Sequence, residues 1–159
     1  MALRRRSIRE EIQQRKPFAS RAQELTVALL RTSDVVRRRL ADVVAREGIT
    51  LQQYNVLRIL RGAGGVPLSA LQIADRLIEQ TPGVSRLLDR LVAKKLVRRD
   101  RAATDRRMIE CVVAPKGLEL LDRLDDAVTR ADESAVNMLT PAELDTLGRL
   151  LDRIRHADE

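Results

Sequence analysis

Apolar residues recur along most of this 159-residue chain at steps of three and four, the spacing that gathers them on one face of an α-helix. A first long helix is predicted over 20–47, with Ala22, Leu25, Leu29, Leu30, Val36, Leu40, Val43 and Val44 as its apolar positions and Gly48 as the residue that closes it. Thr50 with Gln53 has the spacing of a capping box and starts a second helix to about Leu60, packing through Tyr54, Leu57, Ile59 and Leu60. The run GAGG at 62–65 is followed by Val66, Pro67 and Leu68, where a phosphate-cradling loop would need Lys-Ser or Lys-Thr and a helix, so it reads as a turn.

Two shorter helices follow. Ser69 and Gln72 form a second capping-box pair ahead of an inward stripe of Ala70, Ala74, Leu77 and Ile78. Thr81 as N-cap and Pro82 at the first helical position then predict a helix over 81–95. Val84, Leu87, Leu88, Leu91 and Val92 give that helix one buried face, leaving Gly83, Ser85, Arg86, Asp89, Arg90 and Lys94 on the other. With only Glu79 and Gln80 between them, the pair reads as a helix-turn-helix whose second helix is presented to a DNA major groove. Beyond it, the β-prone runs 96–99 and 108–113 flank the basic turn-forming stretch DRAATDRR and predict a two-stranded wing.

The C-terminal part is helical again. Over 115–139, Leu121, Leu124, Val128, Ala131, Ala135 and Met138 step 3, 4, 3, 4, 3, a coiled-coil-like seam that calls for another helix. Thr140, Pro141 and Glu143 start a last helix with Leu144, Leu147, Leu150, Leu151 and Ile154 on one side. At the other end, residues 1–19 form a basic arm in which Ser7 and Glu10 can cap a short helix before Pro17. The fold class is therefore all-α with a small β-wing: a winged helix-turn-helix over 48–114, with 20–47 and 115–159 as a helical dimerisation region. Continuous apolar stripes on the terminal helices favour a homodimer; the alternative is a monomer that folds them onto its own winged part.

Charge sharpens this picture. Between Arg86 and Arg107 nine basic residues face three acidic ones, an excess of six within a chain of net charge +7. The excess is concentrated where the reading helix and wing lie, the footprint of a surface that neutralises phosphates. Ser85 and Arg86 are placed to meet base edges, and Arg90 to meet either bases or phosphates. Ser69, Thr81, Lys94 and Arg99 suit phosphates, and Pro82, Gly83 and Arg106 complete the surface.

Four stretches, LQQYNVLRIL, LSALQIADRL, TPGVSRLLDRLVAKKLV and RRDRAATDRRMIECVVAPKG, together spanning about 51–138, resemble the MarR-type winged-helix transcriptional regulators. The resemblance implies that Arg107 enters the minor groove from the wing tip and that Asp105 holds it, a use of arginine suited to the potential of a narrow groove. It also implies a two-fold dimer, a repressor, and release by a small lipophilic, often phenolic effector, for which no residue of this chain is singled out. Two positions depart from the family pattern: Lys95 stands where glycine usually follows the reading helix, and Ala114 where Thr or Ser commonly caps the next one.

The remaining chemistry is sparse. A single cysteine excludes an internal disulfide, and with no secretory signal or long apolar run the expectation is a cytoplasmic protein that does not engage a membrane. Cys111 lies in an apolar run beside Glu110, neither of which favours a thiolate, so it reads as a small buried hydrophobe more readily than as the redox switch some relatives carry. His156 has no Cys or His at ligand spacing, and no cofactor or metal is expected. No nucleophile with its base, no carboxylate pair and no phosphate loop points to an enzyme. The rival to a double-stranded DNA regulator is a winged RNA-binding or protein-interaction module, since winged folds are reused.

Overall fold

The computed structural model describes residues 6–80, 82–101 and 109–157. They form seven helices and one small antiparallel sheet: α1 (Ile8–Glu11), α2 (Arg21–Ala45), α3 (Leu51–Gly62), β1 (Leu68–Ser69), α4 (Ala70–Ala74), α5 (Val84–Ala93), β2 (Val97–Arg101), β3 (Ile109–Val113), α6 (Pro115–Val136) and α7 (Pro141–Arg155). The chain divides into two compact units, up to Arg39 and from Leu40 onward.

In the first unit, α1 is one turn closed by the expected reciprocal pair: the Ser7 hydroxyl accepts from the Glu10 amide, and the Glu10 carboxylate accepts from the Ser7 amide. Arg31 of α2 pairs with Glu11 at 2.8 Å. Along this part of α2, Leu25 and Leu30 are more than half exposed.

The second unit holds the core. Three helices start where their caps predict, with Thr50, Ser69 and Thr140 each in a complete capping box, and Pro115 opens α6 without a side-chain cap. Val44, Val56, Leu57, Leu60, Ile73, Leu88, Leu91 and Leu121 are essentially inaccessible and pack into one cluster. Arg61 of α3 grips Asp125 of α6 through two hydrogen bonds of 2.8 Å, a fork that pins the two helices in register. Of the GAGG stretch, Gly62 ends α3 and the next three residues form a turn, with Gly64 and Gly65 at positive φ.

The sheet has three strands in the order β1-β3-β2, one more than the two-stranded wing expected from the sequence. The added strand is the residue pair before α4, where Leu68 pairs Cys111 and Ser69 pairs Glu110. It is too short to show alternation, which is why the pattern of apolar positions does not reveal it. β2 and β3 pair from Val97↔Val113 to Arg101↔Ile109.

The predicted α6 seam divides. Leu121, Leu124 and Val128 are buried within the chain's own core, whereas Ala131 and Ala135 are partly exposed and Met138 is 72% exposed. The first half of that seam therefore finds its partner inside the chain. α7 differs: it has no buried residue, and Leu144, Leu147, Leu150 and Ile154 all remain exposed.

Candidate nucleic-acid interface

The interface is built on α5, whose two faces are cleanly separated. Leu87, Leu88 and Leu91 are buried, with Val84 and Val92 packed against the same cluster. Ser85, Arg86, Asp89, Arg90 and Lys94 are exposed on the opposite side. Burying three leucines at about 1.5–3 kcal/mol each fixes which side faces outward.

The start of this helix differs from the expectation. Gly83 has φ +91°, a left-handed backbone that a helical residue cannot take, so the helix begins at Val84 and Pro82 lies in the preceding turn. Gly83 supplies the N-cap position without a side-chain acceptor, and its carbonyl accepts from the amides of Arg86 and Leu87. Thr81, expected to cap the helix, lies outside the described residues. The preceding helix is shorter than expected as well: α4 stops at Ala74, so residues 75–83 separate the two helices instead of Glu79 and Gln80 alone. After α4, the Asn55 side chain takes the amide of Ile78 at 3.1 Å, holding the backbone in a loop. Ile78, assigned to the inward stripe, is 86% exposed, while Ile73 fills the buried position that was missed. Ile73 and Leu77, four residues apart, are the two long side chains of this stretch that turn to the core.

The end of α5 uses Lys95 where glycine is usual. Lys95 sits at φ +60°, its amide donates to the Val92 carbonyl at 2.8 Å, and the Leu96 amide donates to Leu91 at 3.0 Å. This is a Schellman closure carried by a lysine in the left-handed region. The helix thus ends in the left-handed turn after all, at the steric cost that a Cβ brings there. Leu96 then becomes a junction: its carbonyl accepts from the Ala114 amide at 3.0 Å and lies where a Cβ on Gly117 would sit, 2.3 Å away. Glycine in the first turn of α6 is what lets that helix approach the end of α5. Ala114 occupies the α6 N-cap with no side-chain hydrogen bond.

Two of the cations assigned to phosphates are engaged within the chain. The Lys94 ammonium donates to the Gly48 carbonyl. Arg99 on β2 is half-buried; its guanidinium donates to Asp89 and, at 3.1 Å, to the Ser85 carbonyl. Burial, the largest single influence, would lower the Arg99 pKa, but the hydrogen bonds to Asp89 and Cys111 and the charge of Asp89 together outweigh it and the pKa is raised, so the group is a permanent cation. Ser69 is partly exposed at the start of α4, where its hydroxyl is the cap acceptor for Gln72. Arg86 and Arg90 point from α5 with high exposure. Asp105, Arg106 and Arg107, the wing-tip residues, lie outside the described residues.

Cys111 is 1% exposed on β3, directly across from Arg99. Burial pushes its thiol pKa up, against the opposing hydrogen bond and charge of Arg99, so the thiol is held protonated and inaccessible. Among the described residues, no group of three or more His, Cys, Asp and Glu could hold a metal ion. None of the described helices is long and apolar enough to cross a membrane.

A short three-stranded sheet stapled to a helix pair, with an arginine-bearing helix standing out from it, defines a winged helix-turn-helix. Residues 47–108 match the family model described as the MarR family. A transcriptional regulatory protein for the hcr operon of Thauera aromatica is 31% identical over 116 residues, covering 73% of this chain and 69% of that one. The crystal structure of a MarR transcription factor from Planctomyces limnophilus is 35% identical, with a TM-score of 0.66 over 86% of this chain and 98% of that one. Sco3205, a MarR family regulator from Streptomyces coelicolor crystallised in complex with DNA, shares the fold at a TM-score of 0.77 and 22% identity, covering 90% of this chain and 92% of that one. The chain belongs to the MarR family of transcriptional regulators, proteins that act by binding and not by catalysis.

Proposed function

We propose that this MarR family regulator is a repressor that grips an inverted repeat in double-stranded DNA as a homodimer. The observation that carries this reading is the division of α5: its leucines are sunk in the core while Ser85, Arg86 and Arg90 stand exposed on one face. A helix so anchored can enter a major groove as a rigid body. Arg86 is the residue suited to guanine O6 and N7, Ser85 to an adjacent base edge, and Arg90 to either a base or a phosphate. Ser69 at the start of α4 suits a phosphate, as would Thr81. The family resemblance puts Arg107 in the minor groove, with Asp105 holding it and Arg106 beside it.

The dimer is supported by α7 and the N-terminal part of α2, whose apolar residues stay exposed in the single chain. A second copy is the partner that such stripes fit, with 20–47 and 115–159 forming the shared region and 48–114 the DNA-binding region. Two copies of α5 related by a two-fold axis would meet successive major grooves about 34 Å apart. Release requires only a small molecule that binds better to a subunit spacing that does not match the DNA. Action on DNA, together with the lack of a membrane-spanning helix among the described residues, favours a cytoplasmic location.

The test is retention of a duplex taken from the promoter beside the coding region, challenged with excess unrelated DNA and RNA. Survival of the complex is expected, and Arg86→Ala should weaken it and relax base preference at one position of each half-site. Equal displacement by any polyanion would instead identify a general nucleic-acid or protein-interaction module.

A further inference from the structure

Arg99 holds a position that the sequence pattern does not announce. It lies on the inner face of the sheet, between Val97 on its own strand and Cys111 directly across, both of which are buried. A long cation in that place has to send its head group somewhere, and it sends it to α5. One arm of the fork meets the Asp89 carboxylate and the other the Ser85 carbonyl, two acceptors separated by one turn on the same side of the helix. A single contact would leave the helix free to rotate or slide about it; two contacts from one planar group do not.

Stability alone does not account for this arrangement. The Asp89 side chain is 60% exposed, which screens the pair, and the Arg99 Nε is buried with no oxygen acceptor, the guanidinium having only the weakly accepting Cys111 sulfur on that side. An apolar side chain at this position would carry no donor to leave unsatisfied. What the arginine supplies and an apolar side chain could not is a fixed relation between the wing strand and the outward face of α5.

We propose that Arg99 is a positioning residue for DNA recognition, acting through Asp89 and the Ser85 backbone to lock α5 and β2 into one rigid reading unit, and that it does not itself contact phosphate. This rests on the reading of α5 as the DNA-recognition helix. It places Asp89, an acid on an otherwise basic surface, in a role that repulsion from DNA would otherwise make costly. It also ties Ser85, a candidate for base contact, to the strand that leads to the wing tip.

Four variants distinguish this from a phosphate anchor: Arg99→Gln, Arg99→Lys, Asp89→Asn, and the double variant Arg99→Gln with Asp89→Asn. Each is measured in the full-length protein for affinity to the promoter duplex and to a scrambled duplex, for the slope of log affinity against log salt, and for its thermal unfolding midpoint. Arg99→Gln is expected to weaken promoter binding about tenfold or more while scrambled-duplex binding and the salt slope stay near the parent's. Asp89→Asn, an exposed change that folding tolerates, should reproduce the loss, and the double variant should be no worse than the poorer single one. Arg99→Lys should not rescue, because a compact ammonium lacks the planar two-armed fork that holds both acceptors in a fixed geometry. A salt slope reduced by about one with Arg99→Gln, full binding by Arg99→Lys, or unchanged promoter affinity in Asp89→Asn would each overturn the proposal. A parent protein with no preference for the promoter duplex would remove the DNA-recognition reading and this role together, whereas a discriminating parent with indifferent variants would remove this role alone.

Discussion

Helices α5 and α7 are both amphipathic, both carry leucines at steps of three and four, and in sequence they are hard to tell apart by apolar pattern. In the folded chain they part company. Leu87, Leu88 and Leu91 of α5 are buried, while α7 buries nothing and leaves Leu144, Leu147, Leu150 and Ile154 exposed. The difference teaches that an apolar stripe states a demand for a partner without saying where the partner is. α5 meets its demand inside the chain, which frees its other face to carry arginines to a ligand. α7 leaves the demand open, and a second copy of the chain is the proposed answer.

The largest expected effects break that contrast directly. Leu88→Ala opens a cavity in a fully buried site and should lower unfolding free energy by about 2–5 kcal/mol, a loss that denaturant titration would find independent of protein concentration. Leu147→Glu should leave the fold of the single chain nearly intact, as judged by circular dichroism. Sedimentation should nevertheless show a shift from dimer to monomer, and promoter affinity should fall about a hundredfold or more as two linked grips become two separate ones. If Leu147→Glu stayed dimeric with unchanged affinity, α7 would not be the shared surface.

A smaller effect tests how firmly α5 is built into the core. Gly117 lies where an added Cβ would collide with the Leu96 carbonyl at 2.3 Å, so Gly117→Ala should force the start of α6 away from the end of α5. The expected loss is about 1–3 kcal/mol of stability by denaturant titration, with no change in the association of subunits. A gain in stability from that substitution would show that the junction relaxes freely.

The smallest effect runs in the opposite direction. Lys95 closes α5 at φ +60°, where glycine carries no steric penalty, so Lys95→Gly should raise unfolding free energy by about 1 kcal/mol. A lowered midpoint would mean that the lysine side chain contributes more than its backbone costs. This is one of the two positions at which the chain departs from the family pattern, and a lysine makes the left-handed turn there.

Much of the candidate interface was legible before any coordinate. The order helix, turn, helix, strand, strand was readable because caps such as Ser69 with Gln72 are local, and because an apolar period of 3.6 against one of 2 is a property of neighbours in sequence. The outward face of α5 followed from its inward one. What misled was also local: Thr81 and Pro82 look like a helix start, but Gly83 breaks the backbone behind them.

Sequence by itself therefore determined the kind of fold, the side of α5 that faces outward and the concentration of positive charge around it, since each depends on residue type and spacing along the chain. Tertiary structure alone decided that Leu68 and Ser69 add a third strand, that Leu121 finds its partner at home while α7 does not, and that Arg99 turns inward to Asp89 and Ser85. Those outcomes rest on pairings between residues ten to forty or more positions apart. Whether a long arginine serves solvent, phosphate or its own helix is settled by which acceptors the packed backbone brings within about 3 Å of it.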